Sequence, residues 1–427
     1  MITQQRSLQE VGTSVELFAG GGGLAMGVHA AGFRLVLLNE YARRACETLL
    51  TNGAVPRMTE IIPEPDEPPP LAEGPIQNLN FGYLSGKVEL LAGGPPCQPF
   101  SLGGEHRGSE DERNMFPEFF KALRQIQPKA FICENVRGLL RPSFRPYFDY
   151  ILNELSLPFV ERGNVDWREH SATLSKERRV VPAAPEQQKM RYNVIATPVN
   201  AADYGVPQIR QRVIIVGFRA DLGIGEDLWR TKFAPRKTHT EKALFSQLRD
   251  PASEYWTRHA DVPEDVKKQV INALPSANLE EDNSEMRPWR TLRDAIMGDA
   301  ERSEPPLPET GLVDYGEHPG TPVRGHIGWP GARIYDGHTP NALDRPAKTV
   351  KAGVHGVPGG ESVMLLDDGT HRYMTVRETA RVMTFPDCWT ISGPRGEQMR
   401  QLGNAVPVLL AKKFAEAVAE ALRYATH

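Results

Sequence analysis

The stretch Val15-Glu16-Leu17-Phe18-Ala19-Gly20-Gly21-Gly22-Gly23-Leu24 decides the fold class. A short apolar run feeds a glycine turn and then a helix, Leu24 to Ala31, which is the opening of a βα unit. Outward from it, Arg34 to Leu38 reads as a second strand ending at Asn39-Glu40, with a helix over Tyr41 to Leu50. Val88 to Ala92 runs into Gly93-Gly94-Pro95-Pro96-Cys97, and Ala130 to Cys133 into Glu134-Asn135-Val136. Val213 to Phe218 is a β-branched run of the kind buried in a parallel sheet. Strands alternating with helices predict a doubly wound α/β sheet with its functional groups at the strand C-termini. Residues 56–75, with seven prolines and five acids, read as a solvated loop with no helix or strand of its own.

The 427 residues suggest two or three domains. Fifty Lys and Arg against 54 Asp and Glu give a formal net charge of −4, which excludes a polycation that binds nucleic acid by bulk charge. A local basic groove stays open. No apolar run is long enough for a membrane span, and Met1 to Glu10 has no apolar core of a secretory signal. Cys46, Cys97, Cys133 and Cys388 form no CxxC pair, so neither a metal site nor a disulfide framework is expected, and a reducing cytoplasm fits. After Asp221 the alternation stops. Residues 222–375 hold four of the six tryptophans, many turns and little helical periodicity, and read as a second, irregular domain. Helices at Val376 to Met383 and Val408 to Tyr424 return to the first style, so the expected division is 1–221, 222–375 and 376–427. Glu161 to Arg191 is an inserted arm with seven basic and five acidic residues, read as a solvated surface or a phosphate contact.

Gly20-x-Gly22-x-x-Ala25 satisfies a dinucleotide-type fingerprint, with Glu40 about 20 residues on, where a ribose-binding acid belongs. The pair points to an adenosine-containing cofactor without saying which. Cys97, after two glycines and two prolines at a strand end, is either a small buried hydrophobe or a nucleophile on a stiff backbone. Glu134 is either a strand-end carboxylate paired with an arginine or a candidate general acid. In Gln208-Ile209-Arg210-Gln211-Arg212, strand alternation would put Gln208, Arg210 and Arg212 on one face, as ligands of a carbonyl, oxyanion or phosphate, or as a surface charge ladder.

Taken together, these residues resemble the C5-cytosine DNA methyltransferase family. Phe18-Ala19-Gly20-Gly21-Gly22-Gly23 is similar to its S-adenosylmethionine turn, and Pro95-Pro96-Cys97-Gln98-Pro99-Phe100-Ser101 to its catalytic loop. Glu134-Asn135-Val136, Gln208-x-Arg210-x-Arg212, Arg377-Glu378-x-x-Arg381-Val382 and Gly403-Asn404-Ala405-Val406-Pro407 follow in the family's order. The nearest counterpart of its Asp-Ile pair at adenine is Asn78-Leu79.

The resemblance implies a Rossmann-like S-adenosyl-L-methionine-dependent methyltransferase domain and a target-recognition domain over 222–375. It implies Cys97 as nucleophile, Glu134 at the cytosine ring nitrogen and amine, Arg212 at O2, and Arg210 in support. Phe18, Ala19, Gly20, Gly22, Gly23, Leu24, Glu40, Asn78, Leu79, Pro96, Asn404 and Val406 would line the cofactor site. Gln98, Ser101, Gln208, Arg333, Lys348 and Lys351 are the candidate DNA contacts, with double-stranded DNA as substrate. A monomer and a cognate restriction endonuclease belong to the same expectation. Arg377, Glu378 and Arg381, on one helical face, read instead as an ion-pair network. A tRNA cytosine methyltransferase is the alternative, since that branch shares the motifs but normally lacks so large an irregular domain. A DNA-binding module without catalysis would not need Cys97, Glu134 and Arg212, and a nicotinamide oxidoreductase leaves Pro-Pro-Cys unexplained.

Overall fold

Burial organises the first unit around one central strand, β1 (Gly12–Leu17), from which the chain winds both ways. α1 (Gly23–Ala30) returns to β2 (Phe33–Glu40), and α2 (Arg43–Thr51) leads on to β3 (Val55–Pro56) and β4 (Pro70–Glu73). β5 (Leu90–Gly93), α3 (Phe116–Ile126), β6 (Ala130–Val136), α4 (Arg145–Ser156), α5 (Trp167–Glu177), β7 (Tyr192–Asn200) and β8 (Gln211–Arg219) follow. The eight strands lie in the order β3-β4-β2-β1-β5-β6-β8-β7. The strands from β3 through β6 in this order pair in parallel, and β8 runs antiparallel to β6. The connection switches direction between β1 and β5, the place where open α/β sheets bind ligands. The computed structural model describes residues 10–96, 114–180, 184–275, 285–298, 304–308, 310, 323–329, 331–334, 336, 339–352 and 362–426.

The chain forms two compact units. Unit 1 comprises Met1–Val199, Gln211–Pro235 and Ala411–His427; unit 2 comprises Asn200–Arg210 and Arg236–Leu410. In unit 1, α3 buries Phe116, Phe119, Phe120, Leu123 and Ile126, the i, i+3, i+4 spacing of a helix with one apolar face. That face lies against Leu91, Phe131, Cys133 and Ile215 in a single core.

Two expectations are corrected here. Residues 56–75 are not all loop: β4 pairs with β2 through Leu38 with Leu71 and Asn39 with Ala72. Pro70 is the first residue of that strand, a position where a missing N–H is tolerated, and only Leu71 and Ala72 are buried. Nor is the arm at 161–191 simply solvated. Trp167 stands edge-on to Tyr147 at 5.2 Å between ring centroids, and Leu174 and His170 are buried, so α5 is packed on α4.

Unit 2 is more helical than its sequence suggests. The helices Glu241–Arg249, Glu254–Arg258 and Glu264–Asn272 surround Leu244, Phe245, Leu248, Tyr255 and Trp256. A small sheet joins Asn341–Ala342 parallel to Val363–Leu365, and that strand antiparallel to His371–Tyr373. Arg293 is buried between Asp344 and Asp367. No helix among the described residues is long and apolar enough to cross a membrane.

The α4–α5 contact contains a buried titrating group. Glu154 lies 3.0 Å from His170 Nδ1 and 3.4 Å from Arg124, and burial pushes its carboxyl up to about 7. Burial lowers the His170 imidazole, so its contribution has the opposite sign. An unfolded glutamate releases its proton near 4.5, so Glu154 stabilises the fold below that pH and loses the contribution as pH rises through 7. We expect Glu154→Gln to be near neutral at pH 5 and to stabilise by about 1–2 kcal/mol at pH 8. Urea unfolding at the two pH values checks this; an equal effect at both would remove Glu154 as the source.

Candidate active site

The turn after β1 is built by backbone geometry. Phe18, Gly20 and Gly22 have φ of +57°, +54° and +89°. A Cβ at Gly20 would meet nothing within 4 Å, so that glycine serves the left-handed backbone and leaves open space above it. Ala19 N donates to Asn39 O at 2.9 Å, and Gly22 N to Ala19 O at 2.9 Å. Gly22 caps α1, whose first residues Gly23 and Leu24 are buried. Glu40 accepts from Gly20 N at 2.7 Å through one carboxylate oxygen, and from Tyr41 N at 3.0 Å and Ala42 N at 2.7 Å through the other. One carboxylate therefore ties the glycine turn to the start of α2, a role that spacing alone did not reveal.

Beside it, Tyr41 is 70% exposed, a large ring bare at the ligand edge of the sheet. Sequence reading passed over it, although an aromatic residue directly after a strand-end acid was the available signal. Glu16, in β1, is also buried; burial raises its carboxyl well above the usual range, and its Oε2 has no hydrogen-bond partner. Asn78 is exposed, and Leu79 packs half-buried on the core.

At the ends of β5 and β6 the chain is held by side chains again. Asn135 Nδ2 donates to Pro95 O at 3.1 Å, and Pro96 O accepts from Met115 N at 3.3 Å. Arg212 Nε meets Glu134 Oε1 at 2.7 Å, both nearly buried. A Cβ on Gly94 would lie 3.4 Å from Glu134 Oε2, so this glycine lets the backbone pass close to the carboxylate. Cys97, Gln98 and Ser101 lie outside the described residues.

The expectation that Gln208, Arg210 and Arg212 share one strand face is corrected. β8 begins only at Gln211. Residues 207–210 pair instead with another segment, Ile209 N donating to Ala347 O and Ala347 N to Pro207 O. Gln208 is fully buried, its amide nitrogen on Met383 Sδ and its oxygen accepting from Val350 N, so it is not a DNA contact. Arg210, 1% exposed, donates to Val350 O at 2.9 Å, Gly403 O at 2.7 Å and Ala405 O at 2.9 Å. It is a positioning residue that shapes the turn carrying Asn404, which is exposed, and Val406, which is buried.

Lys348 donates to Thr339 Oγ1 at 2.7 Å and to the Thr339 carbonyl, which fixes a loop. Arg333 and Lys351 are exposed. Arg377, Glu378 and Arg381 are all buried. Arg372 grips Glu378, Arg381 grips Asp387, and Arg377 donates to the carbonyls of Arg324, Pro386 and Trp389.

Unit 1 thus gathers the glycine turn, Glu40, Pro96, Glu134 and Arg212 along one edge of its sheet, where the parallel strands end and the antiparallel β8 begins. Against known proteins, the family model of the C-5 cytosine-specific DNA methylase matches residues 12–157 and 176–420. The chain belongs to this family. Its function is that of a DNA (cytosine-5) methyltransferase. It is 30% identical over 420 residues to the type II methyltransferase M.PspPI of Psychrobacter sp. (strain TA137), covering 96% of this chain and 80% of that one. It is 27% identical to the DNA (cytosine-5-)-methyltransferase M.ApeKI of Aeropyrum pernix, covering 96% and 98%. A crystal structure of S. pombe Dnmt2 methyltransferase shares the fold, with a TM-score of 0.50 and 15% identity over 96% of this chain and 98% of that one. The stretch that the methylase model leaves unmatched, 158–175, includes most of α5.

Glu40 gives this enzyme a test that needs no ligand. Glu40→Ala strips a charged acceptor from three N–H groups, and we expect the ligand-free protein to lose about 2–3 kcal/mol. Thermal unfolding measures it, and an unchanged midpoint would mean the turn stands without the carboxylate.

Proposed function

We propose that Cys97 adds to C6 of a cytosine flipped out of duplex DNA, and that the strand ends of unit 1 activate and hold that base. The observation that carries the reading is the Glu134–Arg212 pair at 2.7 Å, one strand from the loop that leads into Cys97. Addition of the thiolate converts the ring into an enamine whose C5 is nucleophilic. Glu134, with one oxygen on Arg212, turns the other to the ring nitrogen and amine. Arg212 steadies the negative charge that develops at O2. Once C5 carries the methyl group, a water-relayed base takes the proton left on C5, the C6–sulfur bond breaks, and Cys97 leaves as thiolate. A stacked cytosine cannot be approached this way, so flipping precedes addition, at a cost of a few kcal/mol.

The family's methyl donor is S-adenosyl-L-methionine, which when bound supplies an electrophilic methyl group. The residues fit it. The open space over Gly20 and the bare Tyr41 ring beside the Glu40 carboxylate suit a nucleoside. Phe18, Ala19, Gly20, Gly22, Gly23, Leu24, Glu40, Asn78, Leu79, Pro96, Asn404 and Val406 would hold it.

Sequence recognition is assigned to residues 222–375, with Arg333 and Lys351 exposed there for phosphate or base-edge contacts. By the same reading the enzyme works as a monomer and shields sites from a restriction endonuclease of the same specificity. Sedimentation checks the first point, and cleavage of DNA it has methylated checks the second.

The central test is Cys97→Ser. Methyl transfer should fall by about a thousandfold or more while duplex affinity is kept, because only the covalent step needs the thiolate. Covalent capture on DNA containing 5-fluorocytosine should vanish with it. Turnover within about tenfold of the native enzyme would refute the nucleophile. Bisulfite sequencing of DNA from expressing cells reads the product and the methylated sequence together.

A further inference from the structure

Trp329 stands apart from the other tryptophans of the chain. Trp229, Trp256 and Trp389 are buried to 2% exposure or less, whereas Trp329 is 50% exposed in a segment with no regular structure. Its ring is nonetheless held in place. The Arg395 guanidinium carbon sits 4.9 Å from the Trp329 ring centroid and 5.5 Å from that of Tyr373, so the cation is shared by two aromatic faces. His371 Nε2 lies 3.2 Å from Ala332 O, which joins the same segment to the strand His371–Tyr373.

Arg395 is also unlike its neighbours in unit 2. Arg293, Arg372 and Arg381 each meet a carboxylate. Arg395 instead donates to Met374 O at 3.3 Å, forms no ion pair among the described residues, and has an Nε with no partner. Residues 323–334 add Arg324 and Arg333 and contain no acid. Arg333 is exposed and makes no ion pair among the described residues. Ile327 and Ile334 are exposed on the same segment.

We infer that Trp329, braced by Arg395, is a DNA-contacting side chain of unit 2. A bare indole over an uncompensated cation, flanked by apolar groups and by Arg333, matches a partner that is polyanionic and offers apolar patches between its charges. Duplex DNA is that partner: its phosphates answer the positive charge, and its deoxyriboses and groove edges answer the ring. A packing role alone would leave neither the exposed half of the indole nor the unpaired charge of Arg395 accounted for. The inference rests on the assignment of recognition to 222–375, and it adds the residue that makes the contact and the one that positions it.

The test uses the full-length enzyme, unmethylated plasmid DNA and tritiated S-adenosyl-L-methionine. Trp329→Ala should raise the KM for DNA by about tenfold or more with a much smaller change in kcat, and Trp329→Phe should recover most of the loss. Arg395→Met should raise the same KM by a smaller factor, since it removes only the brace. Being half exposed, Trp329→Ala should melt with the native protein. A KM within about twofold of native, with the same methylated sites, overturns the inference. So does a lowered melting point with kcat and KM lost together, which would make Trp329 a packing residue. A dimer in sedimentation that dissociates on Trp329→Ala would give the surface to a second copy and overturn it too. Grafting 222–375 from a relative of different specificity separates the two levels. If the methylated site moves and the KM of Trp329→Ala is native, only the Trp329 contact fails. If the site stays, the assignment of recognition fails, and a raised KM for Trp329→Ala still supports a sequence-blind contact.

Discussion

Parallel strands end together at one edge, and the loops leaving that edge carry N–H and C=O groups that the ladder no longer satisfies. In unit 1 the side chains at the strand ends meet this constraint. Glu40 takes three N–H groups, Asn39 donates to the carbonyls of Ala72 and Gly74, and Asn135 donates to Pro95. The same residues that terminate the sheet therefore shape the loops proposed to bind cofactor and base. Fold and chemistry draw on one set of polar groups, so the strand-end motifs read as functional and as structural at once.

That double role explains what could be read in the sequence. The β1 turn was legible because only glycine accepts the backbone angles at Gly20 and Gly22 cheaply, and the β2 end because Glu40 stands where apolar residues stop. β4 was hidden: two buried residues behind a run of prolines carry no period. The helices around Trp256 were hidden for a related reason. They are nine, five and nine residues long, shorter than the window over which a helical period shows itself. The shared face of Gln208, Arg210 and Arg212 failed because alternation holds only within one strand, and the chain changes partners at residue 210.

Unit 2 is organised by arginines, and their partners sort them. Arg293, Arg372 and Arg381 are neutralised by carboxylates, as buried charges require. Arg210 and Arg377 each fan out to three carbonyls, which the planar guanidinium does and a lysine does not. In the sequence Arg377 reads as one member of an ion-pair network and Arg210 as a ligand or part of a surface ladder, yet both pin turns from within through backbone carbonyls.

The chain passes between the two units at 199/200, 210/211, 235/236 and 410/411, so the eleven-residue strip Asn200–Arg210 is stranded in sequence from the rest of unit 2. Its Gln208 and Arg210 already hold Val350, Met383, Gly403 and Ala405. With recognition in 222–375 as proposed, an exchange of that segment leaves this strip behind together with Met383, Gly403 and Ala405, and of the contacts made by Arg210 and Gln208 only those to Val350 have to be remade by the newcomer. The loops of such a segment are free to drift, while the backbone that replaces Val350 has to offer a carbonyl to Arg210 and an N–H to Gln208.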